Sequence, residues 1–333
     1  MKDLSSYNSF GLHVAASELK IIRAAEELEK IDFAHSLILG RGSDVLFTDD
    51  FEGTVLINEI RFLNIEDTGT DCLIRAGSGM ILDELIATLT ASGICGLENL
   101  SGIPGTVGAA PIQNAGAYGV EIGSFITKVE AWDCDAHRME TFSAGDCAFG
   151  YRSSFFKTHK ERRLFITAVE LRLSRKFRPV LSYRGLDKPV PQNPLELRQR
   201  ILKMRASKLP DPALIGNAGS FFENPVVDRE VARRLKYMYP DMPVYAAGLD
   251  ERKSKLAAAW LIDKAGCRGI THGNAGTWEH QALVIVNRGL ARPNEIVALA
   301  KYIQYEVKNL FGIHLIPEVR IYGKHGEISW DSL

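Results

Sequence analysis

The sequence predicts an α+β protein built from more than one domain. Strand-like and helix-like segments mix along it without the regular βαβ rhythm of a doubly wound sheet. Its 333 residues exceed one ordinary domain, and 46% hydrophobic with 24% charged residues is a globular balance. No internal repeat or low-complexity tract is visible.

Ser17 is placed to cap a helix over 17–30, with Leu19, Ile22, Ala25 and Leu28 along one face. The apolar run Ser36–Leu39 reads as a strand entering the turn Gly40-Arg41-Gly42-Ser43-Asp44, with strands at Val45–Phe47 and 54–57 after it. A second block opens with a strand at 72–76 and a helix over 81–92, which Gly93 stops. The long loop 97–119 comes next, before strands at 126–132 and 165–173. In a third block, helices are expected at 228–238, 254–265 and Pro293–Phe311, with a strand at 282–286. The last helix has Pro in its first turn and Gly312 just past its end. Tyr302 and Tyr305 on it are expected to be packing residues. The tail 315–322 reads as a strand. These blocks predict three domains, 1–61, 62–210 and 211–313, with 314–333 returning to the second.

Charge and cysteine usage narrow the function classes. A formal net charge of -1 and a pI near 6.7 carry no basic footprint for nucleic acid. Locally the balance differs: from Gly150 to Val190 there are eleven Lys and Arg against three Asp and Glu. That excess suits a solvated basic face or an anionic-substrate site. Five scattered cysteines (72, 95, 134, 147 and 267) show no Cys-x-x-Cys spacing, so neither a zinc site nor a redox pair is expected. Unclustered thiols fit a reducing compartment. The N-terminus has no apolar core of signal-peptide length, and no apolar run reaches the roughly 18 residues of a membrane span. A cytoplasmic protein with no membrane and no metal is the expectation.

Glycine marks the candidate site. From Ser101 to Gly123 there are six glycines and a single charged side chain, Glu121. Glycine allows positive φ and close backbone approach, and successive N–H groups in such turns form concave anion sites. The turn at 40–44 is a second loop of this kind, so the pair is suited to holding a dinucleotide pyrophosphate. Neither loop matches Gly-x-Gly-x-x-Gly between a strand and a helix, so a Rossmann NAD site is not supported.

Six motifs occur in order: GRGSDVLF (40–47), GIPGTVGAAPIQNAGAYG (102–119), FGYRSSFFK (149–157), KLPDP (208–212), NAGSFFENP (217–225) and PEVR (317–320). In kind and spacing they resemble the UDP-N-acetylenolpyruvoylglucosamine reductase family, from about Tyr7 to Tyr322. The resemblance implies a three-domain flavoprotein. Its FAD-binding region would be of the vanillyl-alcohol-oxidase type, made of two α+β subdomains, beside a C-terminal α+β substrate-binding domain. It implies noncovalent FAD, NADPH as co-substrate and a sugar-nucleotide substrate; a monomer is the separate expectation. The implied reaction passes hydride from NADPH through FAD to an enolpyruvyl ether, in peptidoglycan precursor synthesis.

That chemistry needs a carboxylate clamp, stabilisation of charge beside the carboxylate, and a proton for the adjacent carbon. Local pattern alone would assign Ser220 to a turn or a helix cap. The resemblance makes it the proton donor. Arg152 is the implied clamp, because its planar fork pairs with a carboxylate and keeps its charge. Glu318 takes the third catalytic position, and Arg320, two residues on, would share its strand face close to FAD. The implied cofactor contacts are Arg41, Gly42, Ser43, Asp44, Gly105, Ala109, Ala110, Gln113, Asn114, Gly116, Tyr118 and Arg320. The implied substrate contacts are Tyr151, Arg205, Lys208, Asn224, Tyr245, Lys255 and Gln281. Tyr183 joins them as the tyrosine that closes over the diphosphate in the family's longer subtype. Two departures stand out. Asp44 replaces the usual Asn, and Glu223 puts an acid where lysine is also found. Two rivals remain open: another flavin oxidoreductase of this domain type acting on a different anionic substrate, and a nucleotide-binding regulator without catalysis.

Overall fold

Alternation along one short strand decides where the largest sheet faces. In Asp71–Gly77, Cys72, Ile74 and Ala76 are buried while Asp71, Leu73 and Arg75 are half-exposed, the period-two signature of a sheet with one packed face. The computed structural model describes residues 1–183, 185–248 and 250–333. Within it the chain forms two compact units. One comprises Met1–Ser17, Gly42–Gly53 and Ala206–Leu333; the other comprises Glu18–Arg41 and Thr54–Arg205.

The second of these units is built on a five-stranded antiparallel sheet. Its order is Arg138–Ser143, Ile126–Asp133, Leu164–Ser174, Asp71–Gly77, Leu63–Asp67. Leu82, Leu85, Ile86 and Leu89 of the helix Leu82–Ala91 join the core formed with Ile74, Val129 and Val169. Ser92 caps the helix and Gly93 turns away at φ 69°, the stop expected of a glycine there. A parallel pair, Ser36–Leu39 beside Thr54 to Ile57, carries the chain into the first glycine turn.

The other unit holds an antiparallel sheet in the order Gly216–Ser220, Gln281–Asn287, Ala275–Trp278, Thr271–His272. The helices Ala258–Lys264 and Pro293–Phe311 pack against it. The longer helix ends at Gly312 with φ 68°, as its sequence predicts. A three-stranded sheet orders Val226–Asp228, Lys253–Leu256 and Val244–Ala246.

Several expectations are corrected. Residues 17–30 are not one helix: a strand, Ala15–Ile22, precedes a 3-10 helix, Ala25–Lys30. Of the supposed apolar face only Ile22 and Leu28 are buried, so there is no stripe to bury. Residues 254–265 begin as the strand Lys253–Leu256, where Ser254 and Leu256 alternate inward, and become helical only from Ala258. The terminal strand is Arg320–Gly323, which pairs in parallel with Val45–Phe47 of the first block rather than returning to the second. Glu318 therefore lies before that strand, and the shared-face argument linking it to Arg320 does not apply. Tyr302 and Tyr305 are 49% and 61% exposed, so they are surface residues and not packing residues.

Candidate active site

In the unit that carries the long loop, one hydrogen-bonded cluster holds many of the predicted residues. Six described non-glycine residues have positive φ, and three of them are predicted site residues: Asn114 (49°), Tyr118 (50°) and Arg152 (49°). Such conformations cost energy and persist where the surroundings enforce them, commonly at functional sites. The enforcement is visible. Asn114 donates from Nδ2 to Glu121 Oε2 (2.9 Å) and to the Gly150 carbonyl (3.0 Å), and its Oδ1 accepts from Gly123 N–H at 2.9 Å. Arg152 donates from Nη2 to the Gly116 carbonyl at 3.1 Å, and its guanidinium stands 5.5 Å from the Tyr151 ring. Lys157 Nζ donates to the Arg152 carbonyl at 2.8 Å. The clamp candidate is thus fastened by its side chain to the loop implied in cofactor binding and by its backbone carbonyl to Lys157.

A second corner of the unit joins Tyr118, Tyr183 and Arg205. The two tyrosine rings meet edge to face, with centroids 4.8 Å apart. Burial raises the Tyr118 hydroxyl above its usual value, against the opposing charge of Arg205 beside it. Desolvation holds the Arg205 guanidinium below its ordinary value, although Tyr118 and Asp83 favour its charge. A guanidinium desolvated in this way is suited to an anion. Arg205 lies in the last turn of the helix Pro194–Ala206, which sequence reasoning missed. Only Leu197 and Ile201 of that helix are buried, too few to make a stripe.

The other unit carries Ser220 and Glu318. Ser220 follows Gly219, whose φ of 70° accompanies a register shift between Asn217 and Ser220 in the strand pair. The shift is a bulge of the sort that re-aims a side chain. Asn217 supports it by accepting Gly219 N–H on Oδ1 at 2.9 Å. Beyond the bulge the segment 221–223 zips against 316–318. Glu318 N–H donates to the Phe221 carbonyl (2.8 Å), Glu223 N–H donates to the Ile316 carbonyl (2.9 Å), and Phe222 bridges Pro317. Tyr245 and Lys255 are direct cross-strand partners. Asn224 Oδ1 accepts Ala258 N–H at 2.9 Å, at the start of the helix Ala258–Lys264. Gln281 opens the strand that pairs with Gly216–Ser220. Lys208 is half-buried.

The Asp44 departure also finds company in this unit. Desolvation pulls the Arg320 guanidinium down, but Tyr322, Glu327 and Asp44 together raise it above its ordinary value. Arg320 ion-pairs with Glu327, and its N–H donates to the Asp44 carbonyl at 3.1 Å. The extra carboxylate is therefore set against a cation.

Each glycine loop, taken by itself, has backbone suited to the close approach of an anion. Among the described residues, no acceptor meets the backbone N–H of Arg41, Gly42 or Ser43. A Cβ on Gly40 would lie 2.8 Å from Thr106 Oγ1, so the end of the turn's strand abuts the long loop with no room for a side chain. Gly105 has φ 117°, closed to ordinary side chains. Among the described residues, no cluster of three or more metal-ligating side chains exists, and no helix is long and apolar enough to cross a membrane. All five cysteines are buried free thiols.

Comparison with known proteins agrees with this geometry. A family model described as an FAD binding domain matches residues 15–141, and one described as UDP-N-acetylenolpyruvoylglucosamine reductase, C-terminal domain, matches 211–322. A UDP-N-acetylenolpyruvoylglucosamine reductase of Pectobacterium atrosepticum is 40% identical, covering 98% of this chain and 96% of its own. The chain belongs to the UDP-N-acetylenolpyruvoylglucosamine reductase family. Further reductases of this name, from Photorhabdus laumondii and Escherichia coli, are 41% and 38% identical, each over 98% of this chain and at least 97% of theirs. A solved UDP-N-acetylenolpyruvylglucosamine reductase from Thermus caldophilus has the same fold, with a TM-score of 0.69 at 24% identity over 96% of this chain and 97% of its own. The α+β class expected from the sequence is the class of this family, and the chain is an FAD flavoprotein.

Proposed function

We propose that this chain reduces UDP-N-acetylglucosamine enolpyruvate to UDP-N-acetylmuramate, with NADPH as the reductant, in peptidoglycan precursor synthesis. FAD, when bound, would supply the hydride chemistry that links NADPH to the enolpyruvyl group. Arg41, Gly42, Ser43, Gly105, Ala109, Ala110, Gln113, Asn114, Gly116 and Tyr118 would hold it, with Asp44 and Arg320.

The chain's own work is to bind, orient and protonate. Arg152, anchored to Gly116, clamps the substrate carboxylate and stabilises charge that develops beside it. Ser220 delivers a proton to the carbon next to that carboxylate, and Glu318 completes the set. A hydroxyl is a weak acid, so Ser220 acts as the last member of a relay. Tyr151, Tyr183, Arg205, Lys208, Asn224, Tyr245, Lys255 and Gln281 bind the sugar nucleotide. We assign the C-terminal region, 211–313, to substrate binding and place the protein in the cytoplasm as a monomer.

The observation that carries the reading is the zipping of 221–223 against 316–318, which joins the segments of Ser220 and Glu318 from distant parts of the sequence. Purified protein should be yellow and should sustain NADPH oxidation beyond one equivalent per flavin, under anaerobic conditions, only when the UDP-linked enolpyruvyl ether is present. NADPH oxidation indifferent to that ether would leave the reading of a flavin oxidoreductase with another anionic substrate.

A further inference from the structure

We infer that Asn99 is a positioning residue that holds the Tyr118–Tyr183 corner in its working shape, by tying two separate loops together with one carboxamide. Asn99 is 1% exposed. Its Nδ2 donates to the Tyr118 carbonyl at 2.9 Å and to the Val180 carbonyl at 3.0 Å. One carbonyl belongs to the glycine loop and carries the left-handed Tyr118; the other lies three residues before Tyr183. Both amide hydrogens are spent on these carbonyls, so the tie fixes how the edge of one ring meets the other at 4.8 Å. The loops also touch directly, since a Cβ on Gly119 would fall 2.7 Å from Ser182 Oγ. Tyr183 itself stays 39% exposed, and Tyr118, which its ring meets, is the neighbour of the desolvated Arg205.

The inference rests on the reading that this corner takes the substrate's diphosphate. Loss of the tie frees the Tyr183 loop without touching the hydride or proton chemistry, so its cost falls on substrate capture. Asn99→Asp is the sharpest change, because it sets a carboxylate against two carbonyl oxygens and removes both donors. In folded, flavin-loaded Asn99→Asp and Asn99→Ser, KM for the enolpyruvyl substrate should rise by roughly tenfold or more. The rate of flavin reduction by NADPH should stay within about twofold of wild type, with Asn99→Ser the milder variant. An unchanged KM, or equal loss in both half-reactions, overturns the positioning role. Wild-type protein that fails to turn over the substrate overturns the underlying reading as well. If neither variant accumulates in folded form, amide exchange on the wild-type holoenzyme decides. UDP should protect 116–119 and 177–183 together, and protection of one segment alone overturns the tie.

Discussion

At Arg152 two independent constraints meet, a left-handed backbone at φ 49° and a guanidinium donating to Gly116. Lysine there keeps the charge but loses the fork, and hydrogen bonds to charged groups contribute roughly 1.5–3 kcal/mol. Arg152→Lys should therefore raise KM for the enolpyruvyl substrate by about ten- to a hundredfold in steady-state assays; a change under twofold would remove the clamp. Ser220→Ala should slow substrate-dependent oxidation of the reduced protein by about 10²–10⁴ and spare its reduction by NADPH. Equal loss in both steps would argue against proton delivery. Both residues were legible only through their motifs. The bulge at Gly219 and the positive φ of Arg152 depend on distant partners that no local pattern announces. Glu98 gives a test of a different kind. It is buried at 4% exposure, accepts Gly96 N–H, and burial raises its carboxyl above the usual range. A raised folded-state value means that stability is full below the unfolded value and falls as pH rises through the folded one. Glu98→Gln should thus melt above wild type near pH 8 and level with it near pH 4, checked by calorimetry.

Among the elements, the glycine loops are the most demanding. Gly40 has no room because Thr106 Oγ1 sits where its Cβ would be. Gly40→Ala should destabilise by roughly 1–3 kcal/mol, the usual cost of overpacking. Gly40→Ala with Thr106→Ala should recover most of that in denaturant melts, since the second change removes the obstructing oxygen. Elements with strong end signals were readable from the sequence. Pro293–Phe311 matches its expected bounds because Pro opens it and a left-handed Gly312 closes it. Ser36–Leu39 and Val45–Phe47 were readable too, as short apolar runs against a turn. The segment 17–30 misled because spaced apolar residues imitate a helical face that is only half buried here. At 253–256 a strand hides in the first turn of an apparent helix, since four residues are too few to separate the two periods.

For the molecule as a whole, long-range pairing defeats a reading by consecutive blocks. Val45–Phe47 pairs with Arg320–Gly323, and both Met1–Ser17 and Gly42–Gly53 of the first block belong with the end of the chain. Chain order cannot announce such a partner, whereas the motif order carried the family without it. Because FAD binds the folded state, flavin at a hundredfold excess over its Kd should stabilise the protein by about 2.7 kcal/mol over the stripped form. Chemical denaturation of both forms measures this. The central claim is that electrons from NADPH leave this protein on a UDP-linked enolpyruvyl ether. Its most direct test is anaerobic stopped-flow mixing of NADPH-reduced protein with UDP-N-acetylglucosamine enolpyruvate, followed through the visible flavin absorbance. Rapid return of the oxidised spectrum with formation of UDP-N-acetylmuramate is the predicted result. Flavin that stays reduced in the presence of saturating substrate would contradict it.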